Sequence, residues 1–358
     1  MDVHRILVIN PGSTSTKIAV YRETRPRLIK TIRHSVEELS RFRKITDQYI
    51  FRKEIIMNEL RKAETKIDEI TAVIGRGGML KPIESGVYVV NEAMKRDLKI
   101  GVMGEHASNL GGLIADDIAK MIPGARAYIA DPVVVDELRD IARVAGHPLF
   151  KRKSIFHALN HKAIAHLYAQ HINRPYEDLN LIVAHLGGGI SVGAHQKGRV
   201  VDVNQALDGE GPFAPERSGT LPAHDLVRLC FSGEYSYDEI KKMIVGRGGL
   251  MAYLNTNDAY RIGLMAEEGN RKAAFLLNAM AYQVGKEIGA LGAVLKGEVD
   301  AILLTGGLAN NMQVVDYIKA MVAHIARVKV YPGEDEMKSL AMNALAVLRG
   351  EKECKTYH

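Results

Sequence analysis

The chain has 358 residues, of which 47% are hydrophobic and 25% charged, a composition typical of globular proteins with large buried cores. Its 48 basic and 42 acidic residues give a net charge of +6, and because the basic residues are dispersed, nucleic-acid binding is disfavoured and a site for an anionic ligand is favoured. The two cysteines, Cys230 and Cys354, lack metal-like spacing. There is no signal-peptide pattern and no apolar run of roughly 20 residues, so we expect a cytoplasmic protein without a membrane segment.

The first half of the chain alternates predicted strands and helices. Strands rich in β-branched residues are predicted at 4–10 and 17–22, and the polar turn at 11–16 joins them into a hairpin. Further predicted elements are strands at 27–34, 70–75, 87–90 and 125–130 and helices at 47–66 and 110–121.

The second half follows a similar plan. Strands at 179–186 and 190–195 flank three consecutive glycines, as the strands of the first hairpin flank their polar turn, although the two segments show no sequence repeat. Further predicted elements are helices at 157–172, 225–231, 273–295 and 336–349 and strands at 200–203 and 301–305.

Length and the shared plan predict two similar α/β domains with a ligand cleft between them. We expect the first domain at 1–150, with the helix at 336–349 packing back on it, and the second at 151–335. A short basic segment at 151–154 is the predicted linker.

Three loops have the composition that phosphate groups need, namely convergent backbone N–H groups, small residues and hydroxyls. Residues 10–17 (NPGSTSTK) supply four hydroxyls and a lysine, and the alternative is a simple polar hairpin tip. Residues 185–191 (HLGGGIS) follow an apolar strand, where a β-bulge or a packing glycine is the alternative. Residues 303–311 (LLTGGLANN) suit an adenosine or ribose, but also any tight strand-to-helix turn.

The order of these loops resembles the actin, sugar-kinase and chaperone-ATPase superfamily. A P-loop motif and an early dinucleotide-binding glycine motif are both missing from the sequence, which makes those two nucleotide folds poor alternatives. The candidate nucleotide- and phosphate-binding residues are Asn10, Gly12, Ser13, Ser15, Lys17, His185, Gly187, Gly188, Gly189, Gly306, Gly307 and Asn310.

Five motifs together resemble the acetate and butyrate kinase family over nearly the whole chain. They are NPGSTSTK at 10–17, FHALNHK at 156–162, HLGGGIS at 185–191, PERSGTLP at 215–222 and GEDEM at 333–337. The stretches GRGG at 75–78, LDGEGPFAPERSG at 207–219 and GGLMAYL at 248–254 are more similar to the butyrate branch. Ala158 departs from the Phe-His-Gly of acetate kinases, so the acyl pocket need not be acetate-sized.

The resemblance implies two actin-like ATPase (ribonuclease H-like) domains, each a mixed sheet flanked by helices, around a central cleft. The first domain would bind the acid and the second the nucleotide. The implied reaction is reversible phosphoryl transfer between ATP and butyrate, giving ADP and butyryl phosphate, with Mg²⁺ as cofactor. Acetate, propionate or isobutyrate as the acid, and a non-catalytic ATP-switched module, are the alternatives. Because relatives form dimers, we expect a dimer-based homo-oligomer.

The same resemblance implies roles for individual side chains. Arg217 would grip the carboxylate and the phosphoryl group, since a planar guanidinium matches either. His157 would hydrogen-bond the γ-phosphoryl group. Arg76 is the second candidate arginine. Its alignment with the substrate arginine of the family is fixed only to within a few residues.

Two carboxylates complete the predicted site. Asp131 resembles the family aspartate on the substrate side, although before Pro132 a turn-forming role is the alternative. Glu336 resembles the glutamate that holds Mg²⁺ through water, with Asn10 as a second candidate, and the alternative is a first-turn residue favoured by the helix dipole. His161 lies one turn after His157, but no glutamate completes the H-E-x-x-H zinc motif.

Overall fold

The computed structural model describes residues 3–358. Numbered in chain order, the strands are β1 Arg5–Pro11, β2 Ser15–Arg22, β3 Arg25–Arg33, β4 Ala72–Arg76, β5 Val87–Val89, β6 Arg126–Ala130, β7 Asn180–Leu186, β8 Ile190–Gln196, β9 Arg199–Val203, β10 Ala301–Gly306, β11 Val328–Pro332 and β12 Cys354–Lys355. The helices are α1 Val36–Leu39, α2 Tyr49–Lys62, α3 Glu92–Ile100, α4 Asn109–Ala119, α5 Ala158–His171, α6 Ala223–Cys230, α7 Tyr237–Ile244, α8 Gly249–Leu254, α9 Ala259–Glu267, α10 Arg271–Val294, α11 Met312–Val322 and α12 Glu336–Leu348.

Two compact units share the chain. The first comprises the residues up to Val135 together with Asp335–His358, and the second comprises Asp136–Glu334. The predicted boundary at 150/151 and the predicted linker at 151–154 both lie inside the second unit. The physical reason is that Arg152 forms ion pairs with the carboxylates of Asp202 and Glu210 within that unit.

The first unit is built on a seven-stranded mixed sheet in the order β12-β5-β6-β4-β1-β2-β3. β1, β2 and β3 form an antiparallel meander, and β4 and β6 continue the sheet in parallel with β1. α12 packs against β1, β4 and β6, so the predicted return of the last long helix agrees with the structure. Its return brings residues near position 336 to the carboxyl ends of these strands.

The second unit repeats this plan in a five-stranded sheet, in the order β11-β10-β7-β8-β9. β7, β8 and β9 form the meander, and β10 and β11 run parallel to β7. On β7, Ile182 and Ala184 face a core that includes α10 and α11, whereas Leu181 and Val183 face a core that includes α5. Helices therefore cover both faces of the sheet, which is why these strands are apolar without alternation. The predicted fold class of α/β units with mixed sheets flanked by helices is confirmed.

Several elements were not predicted, among them α3 and the short edge strands β11 and β12. β11 is only partly buried and carries a lysine and a proline, so its sequence lacks the apolar run that marked the central strands. Over residues 3–358, the structure contains no helix that is both long enough and apolar enough to cross a membrane.

A buried ion pair fastens α5 to the meander of the second unit. Lys162 Nζ lies 2.8 Å from Glu137 Oε2, and the two side chains are only 4% and 5% exposed. The same carboxylate oxygen accepts the N–H of Val200, and the ammonium also donates to the carbonyl of Gly198. Both charges are thus satisfied inside the unit, and residue 137 is tied to it.

We predict that Glu137→Gln lowers the free energy of unfolding by about 3–5 kcal/mol, because it leaves the Lys162 ammonium buried without a counter-charge. Urea denaturation followed by circular dichroism measures the change. Asp225→Asn is the matched control, since its partner Arg228 and Asp225 are 75% and 61% exposed, and its cost should stay below about 1 kcal/mol. Equal costs for the two variants would contradict the prediction.

Candidate active site

In the first unit, the loop of residues 12–15 joins β1 to β2 and contains several predicted phosphate-binding residues. Asn10 pairs with Lys17 across the hairpin, so both side chains lie on the same face of the sheet. The N–H of Gly12 donates to the carbonyl of Ser15 at 2.7 Å, which closes the loop tightly. Ser13 and Lys17 are exposed and Ser15 is half-buried. The loop therefore presents hydroxyls and an ammonium group to a ligand.

A buried arginine that was not predicted as a site residue holds this loop in place. Arg52, on α2, is 1% exposed. Its guanidinium donates to the carbonyls of Gly12 at 2.8 Å, Ser15 at 3.0 Å and Ser13 at 3.1 Å, and to the side chain of Gln48. Among residues 3–358 no carboxylate forms an ion pair with it, and burial lowers its pKa to about 10.

The contacts of Arg52 decide which way the peptide groups of the loop point. Within one planar peptide, the carbonyl and the N–H of the next residue point in opposite directions. Because the carbonyls of Gly12 and Ser13 point at Arg52, the N–H groups of Ser13 and Thr14 point away from it. Successive N–H groups exposed in this way form an anion-binding nest. Arg52 is thus a positioning residue for the predicted phosphate loop.

Three predicted site residues from distant segments meet at the end of the same sheet. Arg76 and Glu336 form a two-pronged ion pair, with Nη2 3.0 Å from Oε1 and Nη1 3.2 Å from Oε2. Asn10 Nδ2 also donates to Glu336 Oε2, at 2.6 Å. The side chains of Arg76 and Glu336 are still 25% and 17% exposed, so a ligand can reach them.

Asp131 follows β6, beside the position where Arg76 ends β4. Its carboxylate accepts hydrogen bonds from Ser85 Oγ at 2.7 Å and from the N–H of Gly86 at 2.8 Å. Its φ of +38° lies in a region that non-glycine residues rarely occupy, and such strain concentrates at functional sites. The carboxylate braces residues 85–86, and its substrate role stays a prediction.

In the second unit, the turn between β7 and β8 is the predicted glycine loop. The guanidinium of Arg217 lies directly over Gly189, so that any side chain at position 189 would overlap it. The backbone N–H of Glu216 donates to the carbonyl of Gly188 at 3.4 Å. A glycine at position 189 is therefore needed to make room for the predicted catalytic arginine.

The guanidinium of Arg217 is only partly satisfied by the protein. Nη1 donates to the carbonyl of Ala206 at 2.6 Å, whereas Nε is buried and has no hydrogen-bond partner within residues 3–358. Burial lowers the pKa of Arg217, and the negative charges of Glu216 and Asp208 oppose this effect. Leaving a buried donor unpaired costs roughly 1–3 kcal/mol. An anion that accepts from Nε would recover this energy.

Two predicted histidines stack beside the glycine loop. The rings of His157, at the start of α5, and His185, on β7, have centroids 3.8 Å apart and an interplanar angle of 13°. Asn160 Nδ2 donates to His185 Nδ1 at 2.8 Å and to Thr305 Oγ1, which itself donates to a backbone carbonyl. Because an amide nitrogen can only donate, His185 Nδ1 accepts and its proton lies on Nε2. Glu334 Oε2 lies 3.5 Å from that nitrogen.

The third predicted loop lies at the same edge of the sheet. Thr305 on β10 pairs with His185 on β7, so the loops that follow these parallel strands are neighbours. Gly306 has a φ of +91° and is pressed against the backbone of Leu186, where a side chain has no room. A 3-10 turn, Gly307–Asn310, follows. The predicted nucleotide loops of this unit thus meet at the carboxyl ends of parallel strands, where α/β folds bind ligands.

No group of three or more His, Cys, Asp or Glu side chains within residues 3–358 is arranged to hold a metal ion directly. His161 is fully buried, and its ring lies nearly parallel to that of His195, with centroids 5.5 Å apart. A zinc site at His157 and His161, disfavoured from the sequence, has no support in this arrangement.

The chain is similar to known proteins of one family. Residues 141–342 match the acetokinase family. The chain is 57% identical over 353 residues to Butyrate kinase 2 of Clostridium acetobutylicum, a match that covers 99% of each chain.

Two solved structures show the same fold. They are acetate kinase from Porphyromonas gingivalis, with a TM-score of 0.79 over 96% of this chain and 100% of that one, and a propionate kinase from Francisella tularensis, with a TM-score of 0.75 over 95% and 98%. Each is 18% identical to this chain, so these likenesses show the fold alone. The family match and the full-length relative confirm the predicted family: the chain belongs to the acetokinase family.

Proposed function

We propose that the chain phosphorylates butyrate, transferring the γ-phosphoryl group of ATP reversibly to give ADP and butyryl phosphate. The observation that carries this proposal is the guanidinium of Arg217, which lies over the glycine loop with a buried Nε that has no partner within residues 3–358. An anion that accepted a hydrogen bond from this nitrogen would satisfy it. The choice of butyrate is supported by the full-length similarity to Butyrate kinase 2.

The reaction needs charge compensation and alignment more than acid–base chemistry. A carboxylate is ionised at neutral pH and is already a nucleophile, so no general base is required. One carboxylate oxygen forms a bond to the γ-phosphorus while the bond from that phosphorus to the bridging oxygen of ADP breaks, and no proton moves. Negative charge is spread over the three equatorial oxygens meanwhile. Positive and N–H groups fixed around those oxygens stabilise that arrangement.

Each unit contains candidate groups of this kind. In the second unit, we assign Arg217 to the transferred phosphoryl group and the acid carboxylate, and His157 to a phosphoryl oxygen. In the first unit, the N–H groups of Ser13 and Thr14 and the side chain of Arg76 are the candidates. We also propose that the first unit binds the acid and that the second binds the nucleotide at residues 185–189 and 306–310.

The residues near Glu336 fit a magnesium ion held through water. Mg²⁺ prefers oxygen ligands, keeps several waters and takes few protein carboxylates. Because Asn10 uses its amide nitrogen on Glu336, its amide oxygen is the atom that can accept from a metal-bound water. The Glu336 carboxylate is partly exposed and can do the same. When bound there, Mg²⁺ would neutralise charge on the phosphates of ATP.

We further propose a dimer-based assembly in the cytoplasm. Support for an assembly comes from α6, which has a strongly amphipathic sequence. None of the residues of this helix is buried. Val227 on this helix and Phe231 just beyond it are 54% and 86% exposed. Exposed apolar side chains of this kind, close together, mark association surfaces.

We predict that Arg217→Ala lowers turnover by about 10²- to 10³-fold, because it removes the guanidinium that faces the developing charge. Steady-state assays of ADP release with butyrate measure the loss. The fold should persist, since the side chain of Arg217 makes one hydrogen bond to the other residues of 3–358, and circular dichroism checks this. Arg228→Ala, a change at an exposed arginine of the same unit, is the control. Turnover within a few-fold of the unchanged protein would contradict the assigned role.

A second prediction concerns the acid. With ATP and Mg²⁺, butyrate should give a higher kcat/KM than acetate, propionate or isobutyrate, measured by trapping the acyl phosphate as a hydroxamate. Faster reaction with another of these acids would overturn the chain-length assignment and leave acid phosphorylation intact. ATP binding without hydroxamate from any acid would instead favour the non-catalytic module.

A further inference from the structure

Five side chains of the second unit form one continuous chain of hydrogen bonds, named here the histidine chain. Its first four members, Tyr176, His195, His161 and Ser191, are buried, and the last, His157, is half-buried. The links in order are Tyr176 Oη to His195 Nδ1 at 2.6 Å, His195 Nε2 to His161 Nδ1 at 3.2 Å, His161 Nε2 to Ser191 Oγ at 2.9 Å, and Ser191 Oγ to His157 Nδ1 at 2.9 Å.

The two central histidines are neutral. Burial is the main cause that holds the pKa of both His161 and His195 well below the ordinary value, and the nearby Lys162 ammonium lowers the pKa of each further. A neutral imidazole has one nitrogen that donates and one that accepts. In each of these rings, therefore, the nitrogen that accepts one hydrogen bond leaves the other nitrogen to donate the next.

Among residues 3–358, the hydroxyl of Ser191 has only the rings of His161 and His157 as hydrogen-bond partners, so its one proton must go to one of these two rings. Two arrangements of protons then satisfy every link. If Tyr176 donates, His195, His161 and His157 all accept at Nδ1 and all carry their proton on Nε2. If His157 donates instead, all three histidines carry their proton on Nδ1. The three tautomers are thus coupled, and the direction of one link fixes the other three.

The link between Tyr176 and His195 selects the first arrangement. A phenol with a reference pKa of about 10 is a good hydrogen-bond donor, and an imidazole nitrogen that binds a proton with a reference pKa of about 6.5 is a good acceptor. In the reverse direction, a neutral imidazole N–H would donate to a far less basic phenol oxygen. The short 2.6 Å separation suits the strong O–H to nitrogen bond.

We propose that Tyr176, acting through His195, His161 and Ser191, fixes His157 as the tautomer with its proton on Nε2. This inference rests on the proposed function, in which His157 contacts a phosphoryl oxygen. With Nδ1 accepting from Ser191, the other nitrogen presents an N–H to that oxygen. The opposite tautomer would present a lone pair and repel it. The stacked ring of His185 holds the plane of His157, so the histidine chain sets the donor and the stack sets its orientation.

The tautomers are measured directly on the intact protein. Long-range ¹H–¹⁵N spectra of protein labelled at histidine show which ring nitrogen carries the proton, and loss of one pattern in His157→Gln assigns that residue. We expect His157, His161 and His195 all to be protonated on Nε2. An Nδ1–H tautomer at any of these three residues would overturn the proposal.

Removing the phenol oxygen tests the action of Tyr176 at a distance. In Tyr176→Phe we expect the ¹⁵N pattern of His157 to shift toward a mixture of tautomers and kcat to fall about 3- to 10-fold, with the KM for ATP within about two-fold. Tyr168→Phe, at a buried tyrosine of the same apolar cluster but outside the histidine chain, is the matched control and should change neither quantity. An unchanged His157 pattern in Tyr176→Phe would contradict the proposal.

The two proposals fail in distinguishable ways. Acyl phosphate production together with Nδ1–H histidines would overturn the tautomer assignment and leave the proposed function standing. Three Nε2–H histidines in a protein that phosphorylates no acid would support the histidine chain and overturn the proposed function.

Discussion

A positive charge buried without a carboxylate must have its lost hydration replaced by other acceptors, and this constraint governs both predicted phosphate sites. In the first unit, Arg52 meets it with backbone carbonyls and a glutamine side chain, and in doing so turns the loop of residues 12–15 into a nest of N–H groups. In the second unit, Arg217 Nη1 donates to a backbone carbonyl, whereas its buried Nε has no acceptor within residues 3–358. One arginine thus shapes a predicted phosphate loop, and the other keeps a buried donor that has no partner within residues 3–358.

Around the glycine loop, the fold places directed hydrogen-bond donors that carry no charge. His161 and His195 stay neutral because they are buried near the Lys162 ammonium. The proton on His185 is fixed by Asn160, whose orientation is set in turn by Thr305 on the neighbouring strand. The positive charge near the loop is therefore that of the Arg217 guanidinium, and the neutral imidazoles contribute hydrogen bonds of fixed direction. Preorganised donors of this kind need no reorganisation when charge develops.

The fold and the loops could be predicted because their signals are local. Two hairpins, a glycine turn and long apolar strands are each visible in fewer than about twenty consecutive residues. Arg52 was missed because its partners lie in a different segment, although its spacing from the buried Ile56 and Leu60 puts it on the apolar face of α2, where a charged residue is unusual. The histidine chain joins positions from 157 to 195 across the start of a helix, a short turn and one strand, and no spacing along the sequence indicates it. The predicted boundary at 150/151 differs from the division in the structure because the basic segment at 151–154 was predicted to be a linker, whereas Arg152 forms ion pairs within the second unit.

The return of residues 335–358 to the first unit has a consequence for biosynthesis. Glu336, which joins Arg76 and Asn10, is made after the whole second unit, and so is Tyr357, whose hydroxyl binds Asp97. During translation, which proceeds from the N-terminus, the second unit has all its residues first, and the earlier segments of the first unit must wait for their closing helix. A ribosome-bound chain that stops before position 335 therefore lacks the carboxylate beside Arg76, and the nascent protein cannot assemble that cluster before Glu336 has emerged.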